Sequence, residues 1–202
     1  MYFTEDLIYG AFEYLRSGGI IMLPLALVSF FMWVLILNRF FLFRKMSNHD
    51  ISVKNAREYI IKGTCPDLKK NTGLRARFTV RFLKKASGNS SLNNHILDEI
   101  VISFAASLDK YLSVISVLAG IAPLLGLLGT VTGMVTTFSV ISIFGTGNAK
   151  AMAAGISEAL ITTQSGLVVA IPGFYMSNYL YRKSNSLKHK IASTAIHLKT
   201  YI

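Results

Sequence analysis

The fold is decided by residues 111–149, which read YLSVISVLAGIAPLLGLLGTVTGMVTTFSVISIFGTGNA and carry no charged side chain over 39 positions. A helix needs about 20 apolar residues to cross the hydrocarbon core of a bilayer. Two further uncharged runs, of 22 residues at 17–38 and 23 residues at 159–181, reach the same length. The sequence therefore predicts an all-α membrane protein with three transmembrane helices.

Composition supports the same class of protein. Apolar residues make up 52 % of the chain and charged residues 15 %, against about 25 % charged residues in an ordinary soluble domain. A single cysteine, Cys65, leaves no partner for an intrachain disulfide. These values argue against a soluble enzyme, a disulfide-stabilised scaffold and a disordered chain.

The distribution of charge predicts the topology. Residues 39–110 hold fourteen Lys/Arg and six Asp/Glu, and residues 182–202 hold five Lys/Arg and no acid. Residues 1–16 have a net charge of −2, and residues 144–157 contain one lysine. Positive segments stay on the cytoplasmic side, so the N-terminus and 144–157 are expected outside and the other two segments inside. The membrane accounts for the basic excess, and no nucleic-acid partner is expected.

These signals divide the chain into seven segments. An amphipathic helix on the outer face, with Phe3, Leu7, Ala11 and Leu15 on one side, is expected before a hinge at Gly18-Gly19. The predicted segments are 1–19 for this helix, 20–43, 111–143 and 158–181 for the spans, 44–110 for a cytoplasmic helical segment, 144–157 for an outer loop and 182–202 for a cytoplasmic tail helix.

Helical periodicity extends beyond the spans. Apolar spacing predicts cytoplasmic helices at Asn48–Lys62 and Leu74–Lys85, and an uninterrupted helix from about 92 to 142. A stripe through the tail continues the third helix. Helices two and three are therefore expected to extend into the cytoplasm as a helical bundle.

Small residues follow one face of the second and the third span. Such stripes let helices approach closely in lipid, where the hydrophobic effect does not hold them together. The stripe in span two consists of Ala119, Ala122, Gly126, Gly129 and Gly133. The stripe in span three consists of Gly155, Ala159, Thr162, Gly166, Ala170, Gly173 and Ser177. We interpret the glycines as helix-packing positions.

Polar residues inside the third span are candidates for function. Glu158 is the only acid after Lys110, and intramembrane ionisable residues commonly mark ion pathways. Thr162 and Ser165 share its helix face, and residues 162–165 form a continuous polar block. At the outer boundary of the span water can also reach Glu158, so a purely structural role stays open.

Motifs for conventional catalysis are missing from the sequence. The four histidines lack metal-ligand spacing, and no G-x-S-x-G motif occurs. Residues 145–150, GTGNAK, lack the ending of a phosphate-binding loop. The protein is expected not to be an enzyme and to need no cofactor.

Two stretches carry a specific resemblance to a known family. Residues 121–133, IAPLLGLLGTVTG, resemble the second-span signature of the MotA/TolQ/ExbB proton-channel family. Residues 155–160, GISEAL, with residues 166–172, GLVVAIP, resemble its third-span signature in order and spacing. The three-span plan is similar to the ExbB and TolQ members, because the flagellar stator member has four spans.

The resemblance implies a function and a set of partners. It implies a homo-pentamer in the bacterial inner membrane, with two copies of an ExbD- or TolR-like single-span protein in its pore and a TonB- or TolA-like protein driven by it. Thr130 and Thr163 match the family's pore threonines, and Glu158 matches its glutamate near the outer mouth. The translocated ion is expected to be H⁺. Because Thr162, Gln164 and Ser165 offer extra oxygen ligands, Na⁺ stays an alternative translocated ion.

Two other functions remain open at the level of sequence. A membrane assembly scaffold without ion conduction would need the packing glycines but not the hydroxyls. A permease subunit of a solute transporter would need broken helices at the membrane midplane, which the uninterrupted pattern of helix two does not favour.

Overall fold

The computed structural model describes residues 10, 13–48, 50–66, 73–87 and 89–199. These residues are almost entirely α-helical, and they contain no β-strand. The helices are α1 (Met22–Ser47), α2 (Val53–Ile61), α3 (Leu74–Lys85), α4 (Ser90–Asp109), α5 (Leu112–Phe144) and α6 (Ala149–Lys199). The predicted all-α class is confirmed.

Three helical stretches are long and apolar enough to cross a membrane: Met22–Ser47, Ser90–Gly147 and Ala149–Lys199. The mean hydropathy of their most apolar windows is 2.1, 2.2 and 1.3, yet only 22 %, 28 % and 28 % of the residues in those windows are buried. An apolar helix whose side chains point mostly outward requires an apolar surrounding. The protein is therefore a membrane protein.

The chain before α1 turns sharply. Residues 13–17 are helical, and Gly19 then adopts a φ of 67°, a left-handed conformation that glycine reaches without strain. The predicted amphipathic helix rests mainly on Phe3, Leu7 and Ala11, which lie outside the described residues.

The predicted outer loop at 144–157 is wrong over most of its length. Only Gly145–Gly147 forms a 3₁₀ turn, and α6 begins at Ala149. The Asn148 side chain accepts a hydrogen bond of 3.1 Å from the backbone N–H of Ala151, which caps the start of the helix. The alanine-rich sequence that follows favours helix, so the connection between α5 and α6 is short.

The prediction of an uninterrupted helix from about 92 to 142 is wrong at one point. The α4 helix ends at Asp109 and α5 begins at Leu112, because Tyr111 has a φ of 67°. This conformation is strained for a residue with a side chain. The Arg39 guanidinium and the Lys110 ammonium each lie 4.9 Å from the centre of the Tyr111 ring, and these cation–π contacts offset the strain.

Two compact units make up the fold. The first combines described residues of Met1–Ile36 with Val114–Ser177, and the second combines those of Leu37–Ser113 with Asn178–Ile202. In the first unit, α1 packs on α5 and α6 through a buried cluster of Met22, Leu25, Ala122 and Ala170.

The second unit is a helical bundle with polar ties. Predicted helix Leu74–Lys85 matches α3, whereas the predicted Asn48–Lys62 helix begins only at Val53, because Ser52 caps it by accepting from Lys54 N. The Asp109 carboxylate accepts from the Lys188 ammonium at 2.5 Å and from the Ser184 hydroxyl at 3.1 Å. These bonds join α4 to the last third of α6.

Asp50 caps a helix from outside that helix. The residue before α3 is Gly73, which has no side chain to cap with. Asp50 Oδ1 instead accepts a hydrogen bond of 2.8 Å from the backbone N–H of Arg75. The Arg75 Nε donates at 3.1 Å to Thr194 Oγ1 on α6. One carboxylate thus fixes the start of α3 in the bundle.

We expect Asp50→Ala to lower the stability of the bundle more than Asp98→Ala does. Asp50 is largely buried and satisfies a backbone donor, and loss of such a bond costs about 1–3 kcal/mol. Asp98 pairs with Lys199 in a largely exposed contact, which contributes little. Both variants remove one negative charge. Thermal unfolding followed by circular dichroism in detergent should show the larger drop in Tm for Asp50→Ala. Equal drops would mean that the Asp50 cap does not stabilise α3.

Candidate functional site

The backbones of α5 and α6 come into near contact at Gly126. A Cβ built on Gly126 would lie 3.1 Å from both the Thr162 carbonyl oxygen and the Thr163 Cα. A Cβ on Gly166 would lie 2.7 Å from the Ala122 carbonyl oxygen. Any larger side chain at either glycine would push the two helices apart.

The same contact continues towards the turn between the helices. A Cβ on Gly129 would overlap the Thr162 side chain, and a Cβ on Gly133 would lie 2.8 Å from both the Gly155 carbonyl oxygen and the Ala159 Cβ. The predicted small-residue stripes therefore face each other, and every member of both stripes is buried.

Gly173 extends the contact to α1. A Cβ at this position would lie 2.6 Å from Met32 Sδ on α1 and 3.1 Å from the Ala119 Cβ on α5. The six predicted packing glycines thus all lie where helices meet. We define the α5–α6 hairpin as residues 114–177, which hold all of them.

Thr163 joins the two helices by a hydrogen bond. Its hydroxyl lies 3.1 Å from the Gly126 carbonyl oxygen on α5 and 3.3 Å from the Ala159 carbonyl oxygen on its own helix. Either carbonyl can take the single proton. The oxygen keeps its lone pairs, so Thr163 can still accept a hydrogen bond.

Thr130 on α5 uses its hydroxyl proton within its own helix. Its hydroxyl donates at 2.6 Å to the Leu127 carbonyl oxygen, and both Thr130 and Thr163 are half-buried. The position of α1 shows which side they occupy, because Leu125 and Val169 pack against its buried cluster. At about 100° per residue, Thr130 lies about 140° from Leu125 around α5. Thr163 lies about 120° from Val169 around α6, so both threonines face away from Leu125 and Val169, on the side of the hairpin that we call open.

Glu158, Thr162 and Ser165 lie on other sides of α6. The Thr162 hydroxyl is fully buried and lies 2.9 Å from the Ala159 carbonyl oxygen. The Ser165 hydroxyl donates at 2.7 Å to the Ile161 carbonyl oxygen and is bonded to the Tyr14 hydroxyl at 3.1 Å. Since the serine proton is already used, Tyr14 donates to Ser165.

The Glu158 carboxylate packs against the turn before α1. A Cβ built on Gly19 would overlap the carboxylate, so this glycine makes room for Glu158 as well as for its own left-handed backbone. Glu158 is half-buried as a result. The sequence pattern placed Glu158, Thr162 and Ser165 on one face but gave no sign that Tyr14 and Gly19 cover it, because nothing in a local pattern pairs residues more than 130 positions apart.

The five predicted ion-pathway residues thus form two groups. Thr130 and Thr163 lie on the open side of the hairpin; of the other three, Glu158 and Ser165 face the segment before α1, and Thr162 is buried against Gly129 between α5 and α6. Within the described part of the chain, no cluster of His, Cys, Asp or Glu is arranged to hold a metal ion.

These features define a class of protein: a polytopic α-helical membrane protein with a glycine-packed hairpin that carries hydroxyl groups inside the membrane. The family model described as "MotA/TolQ/ExbB proton channel family" matches residues 70–193, which is more than half of the chain. The chain belongs to this family.

Individual relatives agree with the family match. Biopolymer transport protein ExbB of Aquifex aeolicus is 45 % identical over 76 residues, which cover 38 % of this chain and 51 % of that protein. The ExbB of Helicobacter pylori is 42 % identical over 83 residues, or 41 % and 57 % of the two chains. Putative biopolymer transport protein ExbB-like 3 of Synechocystis is 29 % identical over 169 residues, 80 % of each chain. The chain spans about half the length of the first two relatives.

We expect Gly129→Ala to destabilise the hairpin and Gly120→Ala to leave it unchanged. The new methyl group at Gly129 would overlap Thr162, whereas at Gly120 the nearest atom, Phe174 Cζ, is at an ordinary 3.9 Å. Overpacking a tight contact costs about 1–3 kcal/mol. The Tm of the purified protein in one detergent should fall for Gly129→Ala only. A larger fall for Gly120→Ala would show that α5 and α6 are not in close contact at Gly129.

Proposed function

We propose that the chain is the ion-conducting subunit of an ExbB/ExbD- or TolQ/TolR-like motor of the bacterial inner membrane. The motor would convert ion-motive force into mechanical work on a TonB- or TolA-like protein, for transport across the outer membrane or for its integrity. The observation that carries the proposal is the position of Thr130 and Thr163 on the open side of the hairpin, in a chain of a proton-channel family. Catalysis of a chemical reaction is no part of it.

The two threonines suit an ion path because of how their protons are used. Each hydroxyl donates to a backbone carbonyl, at 2.6 Å for Thr130 and 3.1 Å for Thr163. What each presents to the open side is therefore an acceptor oxygen. Acceptors suit a protonated carboxyl group, a hydronium ion or Na⁺, all of which carry a hydrogen-bond donor or a positive charge.

An ion path also needs walls that one chain does not supply. We assign those walls to four further copies in a homo-pentamer and to two copies of an ExbD- or TolR-like single-span helix in its centre. Gln164 supports an assembly, because its amide is exposed among the exposed apolar side chains of Leu160, Leu167 and Ile171. An amide facing lipid is unfavourable unless it finds a partner.

The second group of polar residues has a different role in this proposal. Glu158 lies at the outer mouth, where its half-buried carboxylate would attract cations. Ser165 joins the hairpin to the segment before α1 through its hydrogen bond with Tyr14, whereas Thr162 bonds to carbonyls of its own helix, and both flank the path rather than conduct. The sequence-based hypothesis that they contribute ion ligands stays a prediction.

The charge pattern supports an orientation with the N-terminus in the periplasm and the C-terminus in the cytoplasm. The last turn of α1 carries Arg44 and Lys45. The segment 182–202, which follows the apolar part of α6, is also basic. Each charge that crosses 100 mV releases about 2.3 kcal/mol. Several ions would therefore be needed for each mechanical cycle.

We expect Thr163→Val and Thr130→Val to reduce ion flux by about tenfold or more, because each removes an acceptor oxygen from the path. A rise of about 1.4 kcal/mol in the free-energy barrier to ion passage slows the passage tenfold. Valine keeps the shape of threonine. The measurement is the decay of a pH gradient, reported by an entrapped dye, in vesicles containing the complex purified from its own membranes. Repeating it with a Na⁺ gradient distinguishes H⁺ from Na⁺.

Thr136→Val is the matched control for this experiment. The Thr136 hydroxyl is exposed on α5 and donates at 3.1 Å to its own helix, so the same substitution should leave flux unchanged. Thr163→Ser should retain flux because it keeps the oxygen. Wild-type flux in Thr163→Val, with the complex intact, would favour the scaffold function instead.

We expect native mass spectrometry of the gently extracted complex to show five copies of this chain with two copies of a small single-span protein. Five subunits would close the open side of each hairpin around a common centre. Chemical crosslinking before extraction controls for loss of the partner. A homo-oligomer without a partner after crosslinking would contradict the motor, and a complex with an ATPase would favour the solute permease.

A further inference from the structure

A cavity of about 230 Å³ lies between the last turns of α1 and residues 179–183 of α6. The cavity belongs entirely to the second unit and has no place in the proposed ion path. Its lining includes Phe40, Arg44, Ser47, Asn48, Tyr179 and Lys183.

The cavity has two positive charges and no negative one. Arg44 and Lys183 both line it, and no carboxylate does among the residues that the structure describes. Neither cation forms an ion pair within that part of the chain. Asp50, the described acid nearest to Arg44 in sequence, is held by Arg75. Two unneutralised cations that line one cavity repel each other, so the cavity favours an anion.

The remaining lining narrows the class of anion. The hydroxyl groups of Ser47 and Tyr179 and the amide of Asn48 add neutral hydrogen-bond donors. The rings of Phe40 and Tyr179 lie 6.4 Å apart and form an apolar wall. Phe41, the next residue on α1, has 62 % of its surface exposed, so the wall adjoins the membrane-facing surface of the helix. A ligand with an anionic head and an apolar tail fits both parts.

We propose that this cavity binds the phosphate group of an anionic membrane phospholipid. The Arg44 guanidinium can bind two phosphate oxygens at once, and the Lys183 ammonium adds a point charge. Both cations follow closely on uncharged membrane-length runs, where lipid head groups are found. A free phosphate ion shares the head-group chemistry but leaves the aromatic wall unused.

The test uses the full complex in a neutral detergent and three probes. Native mass spectrometry measures the binding of a phosphatidylglycerol, of a phosphatidylcholine with the same acyl chains, and of inorganic phosphate as competitor. We expect phosphatidylglycerol to bind, phosphatidylcholine to bind about tenfold more weakly, and millimolar phosphate to compete poorly, because a tenfold difference needs only about 1.4 kcal/mol. The double variant Arg44→Gln/Lys183→Gln should lose the preference.

Two control variants make the outcome decisive. Lys45→Gln/Arg182→Gln removes the same charge from neighbouring residues that do not line the cavity, and it should bind like wild type. Arg44→Lys/Lys183→Arg keeps both charges and should retain the preference even if the glutamine variant assembles poorly. Equal loss in both glutamine variants would show a general charge effect and overturn the site. Full displacement by phosphate would overturn the assignment to a lipid.

Discussion

The close approach of α5 and α6 is the constraint on which the rest of the site depends. At Gly126 and Gly166 the two backbones come so close that a single Cβ on either would meet a backbone atom of the other helix. Between lipid-facing helices the hydrophobic effect gives no net attraction, so contact has to come from dispersion and hydrogen bonds. Glycine allows both interactions. Its small size brings the two backbones into contact, and it leaves the Gly126 carbonyl accessible to the Thr163 hydroxyl.

That hydrogen bond links packing to the proposed chemistry. If the helices stood further apart, the Ala159 carbonyl oxygen on its own helix, 3.3 Å away, would be the one remaining acceptor for the Thr163 proton. The direction in which the hydroxyl presents its lone pairs would then change. The glycines, which look like a purely structural feature, therefore set the orientation of the oxygen that we assign to the ion path.

The sequence predicted what depends on local periodicity. The two stripes of small residues and helix α3 follow from spacing alone, and the structure places them as expected. The break at Tyr111 could not be predicted, because its left-handed backbone is stabilised by Arg39, 72 positions earlier. The cover that Tyr14 and Gly19 form over Ser165 and Glu158 is likewise a tertiary contact without a local signal.

The surface of the hairpin argues that the single chain is not the working unit. Its open side combines exposed apolar residues, such as Leu160 and Ile171, with the half-buried hydroxyls of Thr130 and Thr163 and the exposed amide of Gln164. Lipid suits the apolar residues but leaves the amide unsatisfied, and water suits the amide but not the apolar residues. Neither solvent alone is favourable for the whole surface. A protein partner that offers apolar contact and a few polar groups satisfies both requirements, so the chemistry of this face points to assembly before it points to conduction.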